Sequence, residues 1–222
     1  MADLPPANIC FHGIGIPERD LDPGEAPYWI STDQFHSILD EVKLWPQVRI
    51  SFDDGNASDV QIGLEALLER NLNATFFVLA GRLGAPGSLA EGDVRHLYSR
   101  GMLIGTHGMD HRPWRGLDPA TRDRELVEAR KRISDVIGAP VQEAALPLGR
   151  YDRRLLADLR RLGYSAVHTS DRRIARPGSW LQPRFSVQRH DDPQSMRSQV
   201  NGTRALGRRL QLEAVGLVKR LR

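Results

Sequence analysis

Short apolar runs alternate along the chain with longer stretches in which apolar residues recur every three or four positions. The first pattern reads as buried strand and the second as amphipathic helix. Candidate strands are NICF (8–11), VRISF (48–52), ATFFVLA (74–80), MLIGT (102–106), the short EAALPLG (143–149) and YSAVHT (164–169). Between them run helical stripes: Phe35, Ile38, Leu39 and Val42; Leu64, Leu67 and Leu68; Val94, Leu97 and Tyr98; Leu126, Ala129, Ile133 and Val136; Leu155, Leu156, Leu159 and Leu162. Ser31 and Thr32, Asp118 with Pro119, and Asp152 are good helix starters, while Ser58 with Gln61 and Ser88 with Glu91 match the capping-box spacing. Gly101, Gly138 and Gly163 are stop signals. Six strand–helix alternations predict parallel strands joined by crossover helices, closed as a barrel or open as a doubly wound sheet. The stretch from Asp171 to Gln188 carries no assignable period.

The 222 residues fit one α/β domain, taken as 1–222, and 40% hydrophobic residues suffice for a proper core. The lone cysteine, Cys10, excludes an intramolecular disulfide. The N-terminal segment lacks a basic start followed by an apolar run, and no apolar stretch is long enough for a bilayer, so a cytoplasmic location is expected. The net charge of +3 is uneven: from Arg197 onward seven basic residues face Glu213 alone. A basic tail on a slightly acidic body argues against a nucleic-acid partner.

Several strands end in residues able to do chemistry: His12, Asp53 and Asp54, His107, and His168. In parallel α/β folds these ends share one face, so residues distant in sequence meet there. Asp53-Asp54-Gly55 reads as a turn or as paired carboxylates, one for a metal and one for water. His107 and His111 read as loop histidines or, on a helical turn, as two imidazoles on one side. Asp54, His107 and His111 together make a three-ligand set with an open position.

These residues resemble the motifs of the polysaccharide deacetylases, the NodB-homology carbohydrate esterases. SFDDG (51–55) is similar to their TFDDG motif, HGMDH (107–111) to their histidine pair, and ALPLGRYDRR (145–154) more weakly to a third motif. The likeness runs from about Phe11 to Phe185. It implies a distorted (β/α) barrel of about seven strands and a hydrolase that removes an N-acetyl group from an amino sugar in a polysaccharide or its precursor. It also implies Asp53 as general base, Asp54, His107 and His111 as ligands of a divalent metal, commonly zinc, and the Leu148 N–H as an oxyanion donor. The sequence departs from the family at Ala145, where an arginine often tethers the base, and at Leu148, where an aromatic residue is common. Arg184 or Arg150 is the candidate for the missing positive charge. No late strand–histidine element supplies a general acid, and His190 is a poor match. His12 resembles the first-strand histidine of some exopolysaccharide deacetylases and takes the role over His168 and His190.

Trp29, Trp114 and Trp180 fall in predicted loops, as anchors or as stacking surfaces for sugar; Trp114 is the best sugar-contact candidate. With Arg184 it completes the expected substrate-side set. The tail stripe Leu206, Leu210, Ala214, Leu217 and Leu221 predicts a basic C-terminal helix at about 194–222, packed on the barrel or resting weakly on a membrane surface. The rival functions are an amidase or O-esterase on a non-sugar substrate, and a non-catalytic carbohydrate-binding protein on a decayed scaffold.

Overall fold

The computed structural model describes residues 7–176, 178–202 and 218. Strands β1 (Asn8–Phe11), β2 (Arg49–Asp54), β3 (Ala74–Val78), β4 (Leu103–Thr106), β5 (Glu143–Ala145), β6 (Ala166–Thr169), β7 (Leu181–Pro183) and β8 (Phe185–Ser186) form one sheet in the order β7-β6-β5-β4-β3-β2-β1-β8. All the pairings are parallel. β7 lies at one edge of the sheet and β8 at the other, yet only Arg184 separates them in the chain. One short extended segment thus reaches both edges and brings the sheet to a nearly closed barrel. The expected seven strands become eight because the last is split at Arg184. This segment comes from the stretch without a period; strands of two and three residues are too short to show one.

The surrounding helices are α1 (Thr32–Val42), α2 (Leu64–Leu68), α3 (Glu91–Ser99), α4 (Pro119–Asp123), α5 (Ala129–Ile137), α6 (Arg153–Arg161) and α7 (Pro193–Gly202). Ser31, Asp118 and Asp152 cap their helices with side-chain acceptors, and Gly138 closes α5 in a left-handed conformation. The two expected capping boxes do not form. Ser58 Oγ instead accepts from Ile14 N, tying the first loop to the second helix, and α3 starts three residues after Ser88, with Asp93 accepting from Ala90 N. Of the predicted C-terminal helix the structure describes Pro193–Gly202; the stripe from Leu206 lies outside the described residues, and so does any membrane contact through it. Among the described residues no helix is long and apolar enough to cross a membrane.

Strand alternation separates core from site. Ile9, Phe11, Ile50, Phe52, Phe76, Val78 and Ile104 point outward into the helix layer, where Phe52 and Phe76 stack at 4.6 Å. The alternate set, including Cys10, Ser51, Asp53, Phe77, His107 and His168, turns toward the barrel axis. A second cluster, around Trp114, Leu126, Leu155 and Leu159, holds α6 and the second half of the barrel together.

Candidate active site

β2 delivers Asp53 and Asp54 to the mouth of the barrel, 3% and 2% exposed. Asp54 has φ 78°, a left-handed conformation unfavourable for any residue but glycine, and the chain turns away at Gly55. Its carboxylate oxygens are both buried without a hydrogen-bond partner in the protein. His107 Nε2 and His111 Nε2 stand 3.5 and 3.4 Å from Asp54 Oδ1. His107 Nδ1 lies 3.0 Å from the Ala145 carbonyl, which only accepts, so Nδ1 carries the proton and Nε2 presents a lone pair. Asp22 does the same for His111, with Nδ1 and Oδ2 3.1 Å apart. Burial pushes His107 down to about 4 against the pull of Asp53 and Asp54, which keeps the ring neutral. One Asp54 oxygen and the two Nε2 atoms therefore converge on a single point. Ligand atoms bound at about 2.0–2.1 Å to a tetrahedral metal stand roughly 3.3–3.4 Å apart, which matches these spacings. The residues present fit a divalent cation.

Asp53 has different company. Arg184 Nη1 donates to Oδ1 and Nη2 to Oδ2, both at 2.6 Å, and Nη1 also reaches Ser51 Oγ at 3.0 Å. Burial alone pushes the Asp53 carboxyl up, but Arg184, with His107 and His12, outweighs it and holds the group well below the ordinary carboxylate range. Arg184 is thus the counter-charge that Ala145 does not provide. It is 1% exposed, so its expected place on the substrate side is corrected: it touches Asp53 and not the solvent. Behind it a cavity of about 420 Å³ opens between the N-terminal ends of the strands, lined by Asn8, Arg49, Glu143 and His168 among others. That cavity lies at the opposite end of the barrel from the two-aspartate centre.

Of the two readings of the histidine pair, the structure takes the loop: the segment is bent, not a helical turn. Gly108 has φ 90°, and a methyl group there would collide with the Glu125 carboxylate and the Trp114 indole. Glu125 organises the loop: its carboxylate accepts from Met109 N (2.7 Å), Asp110 N (3.2 Å) and Trp114 Nε1 (3.3 Å). Glu125 and Asp22 escaped the sequence reading. Glu125 sits one residue before an apolar helical stripe, where an acidic residue reads as solvated, and Asp22 lies in a loop without period. A π-helical turn, Arg124–Glu128, interrupts the helix and turns Glu125 inward. A second one, Asp59–Gly63, buries Asp59 near both aspartates. Burial, then Asp54 and Asp53, push the Asp59 carboxyl well above its ordinary value.

The polysaccharide deacetylase family model matches residues 45–167. The chain belongs to this family. It is 28% identical over 137 residues to the chitooligosaccharide deacetylase of Rhizobium leguminosarum bv. trifolii, covering 61% of this chain and 60% of that one. It is 26% identical over 124 residues to YxkH of Bacillus subtilis (strain 168), covering 56% of this chain and 44% of that one. The matches thus span about half the length of these curated relatives. The fold is similar to that of the Streptococcus pyogenes deacetylase PplD solved with acetate: TM-score 0.75, 18% identity, covering 90% of this chain and 99% of that one.

Around the two-aspartate centre, His12 follows β1 and packs on Tyr28 with ring centroids 4.8 Å apart. An imidazole nitrogen, the Cys10 sulfur and an Asp53 oxygen lie within 4.8 Å of one another, and His12 Nδ1 has no hydrogen-bond partner. Leu148 has φ 56° on the turn after β5, and its side chain is 55% exposed. Arg150, the alternative tether, is exposed and makes no ion pair with Asp53. His168 is buried on Phe77 with Nε2 2.9 Å from Glu143 Oε2, and His190 is exposed between β8 and α7. Trp114 corrects the expectation of a sugar platform: it is 2% exposed, and its ring lies inside the second core cluster as an anchor.

Proposed function

We propose that the protein is a metal-dependent hydrolase that removes the N-acetyl group from an amino sugar of a polysaccharide or its precursor. The observation that carries this reading is the contrast within one dipeptide: Asp54 faces two imidazole lone pairs, while Asp53 is braced by a guanidinium. Asp54, His107 and His111 would hold the cation, with zinc the expected ion for an N2O set. When bound, it supplies Lewis acidity that polarises a carbonyl and makes water a better nucleophile near neutral pH.

The chain's own residues do the rest. Asp53 stays ionised beside Arg184 and takes the proton from water as the acetamide carbon is attacked. Arg184 fixes the rotation of the carboxylate, so that the basic lone pair is already aimed. The Leu148 N–H donates to the carbonyl oxygen as its negative charge grows. His12 donates a proton to the departing nitrogen, releasing acetate and a free amine.

The test pairs elemental analysis with acetate release from N-acetylglucosamine oligomers. Near-stoichiometric divalent metal is expected, lost in His107→Ala and Asp54→Ala. Asp53→Asn keeps the metal and loses turnover by about 10²–10⁴-fold. His12→Ala also keeps the metal and slows turnover. A folded, metal-replete protein that releases acetate from no amino sugar would sink the proposal in favour of the decayed-scaffold alternative; turnover of simple amides or acetate esters alone would favour the non-sugar hydrolase.

A further inference from the structure

The charges are distributed unequally around the barrel. Residues 1–110, which build β1–β4, carry seven Lys and Arg against sixteen Asp and Glu. Residues 111–176, which build the loops after β4, β5 and β6 with their helices, carry fifteen against nine. The excess is expressed at the mouth. Arg112 and Arg115 stand in the loop after His111, their side chains 49% and 48% exposed although each lies near one carboxylate. Arg150 follows the Leu148 turn, and Arg153 and Arg154 open α6; all three are exposed, and among the described residues none has a carboxylate within 4 Å. Arg154 also lines a small hollow with Trp114, Gly116 and Leu117, beside the loop that carries the histidine pair. Two arginines in the first turn of a helix oppose its dipole, so fold stability does not account for them. The other side of the mouth, in the loop after β1, presents exposed Glu18 and Asp20.

We infer that this arginine rim binds an anionic glycan, one in which the acetylated amino sugar neighbours a residue bearing a carboxylate or phosphate. The inference rests on the deacetylase reading for the acetamide at the centre and adds the charge of the chain around it. Arg150 lies two residues from the Leu148 oxyanion turn, so a sugar next to the reacting one falls within reach of its guanidinium. The acidic loop opposite repels the same charge, which orients the chain across the mouth with its anionic unit toward β5 and β6. The interleaved carboxylates Asp118, Asp152 and Asp171 break the continuous field that a nucleic acid would require.

The test uses the metal-loaded full chain and two probes: hyaluronan, with N-acetylglucosamine alternating with glucuronate, and uncharged glycol chitin. Mobility in gels containing each polymer reads binding, and acetate release from oligosaccharides of each reads turnover. The expected result is retardation by hyaluronan, weakened about tenfold in Arg150→Glu/Arg154→Glu and also by raising salt from ~20 to ~300 mM. Arg132→Glu, a single charge reversal on α5 away from the mouth, is the control for the single variants Arg150→Glu and Arg154→Glu and keeps its retardation. No retardation by hyaluronan overturns the inference, even if chitooligosaccharides are deacetylated. Equal weakening by Arg132→Glu also overturns it, because the surface is then a general polyanion binder. Rim-dependent retardation without acetate release from either probe leaves the rim standing and removes the deacetylase reading instead.

Discussion

Asp53 and Asp54 are chemically identical neighbours whose partners divide the work between them. A carboxylate held by a bidentate guanidinium is ionised but unavailable to a cation; one with bare buried oxygens between two imidazoles is destabilised until a cation arrives. Arg184→Met therefore has two expected effects. Turnover falls about 10²-fold as the base loses its orientation. The acid limb of the activity–pH profile also moves up, because the Asp53 carboxyl loses the largest of the influences that hold it down against burial. A pH profile beside a thermal melt separates this from simple unfolding; an unmoved acid limb in a folded variant would contradict the assigned tether. The sequence made both aspartates visible through the DDG pattern and the family likeness. It also singled out Arg184, but only as one of two candidates, because a pairing across 131 residues leaves no local trace.

At the scale of elements, six strands and the five helical stripes between them were legible because burial on one side writes a period into the sequence. The remainder was not, for identifiable reasons. β7 and β8 are too short for periodicity. The two π-helical turns each rotate a carboxylate inward, Asp59 and Glu125, from positions a regular helix would give to solvent. The four-residue spacing of HGMDH leaves a loop and a helical turn both open, and Gly108 with a left-handed His111 make it a loop wrapped on Glu125. Glu125→Ala strands two backbone N–H groups and an indole N–H. A loss of about 2–4 kcal/mol is expected, together with a 10–100-fold weaker metal affinity although no ligand is touched. Competitive metal titration with a chelating dye checks the second effect; wild-type affinity would show that the loop holds its shape without Glu125.

For the whole molecule, the convergent lone pairs couple folding to the cation. Ligand binding to the native state alone stabilises by RT ln(1 + [L]/Kd), about 2.7 kcal/mol at a hundredfold excess over Kd. For a chain of this size that corresponds to roughly 5–10 °C in Tm. Zinc added to chelator-stripped protein should produce this shift, and Asp54→Asn should abolish it; equal melting curves with and without metal would speak against the centre. The barrel itself was anticipated, and the family match bears it out. The polarity of its rim became visible only once topology assigned the charges to faces.

Closure by the Leu181–Ser186 segment has a consequence in time. A ribosome completes Asp53 early, but Arg184 emerges only after almost all of the other barrel strands have been made. Until then the sheet lacks the segment that joins its edges, and Asp53 has no counter-ion. On the proposed mechanism, the nascent chain therefore carries an unbraced base through most of its synthesis. The brace arrives with the same segment that brings the two edges of the sheet together.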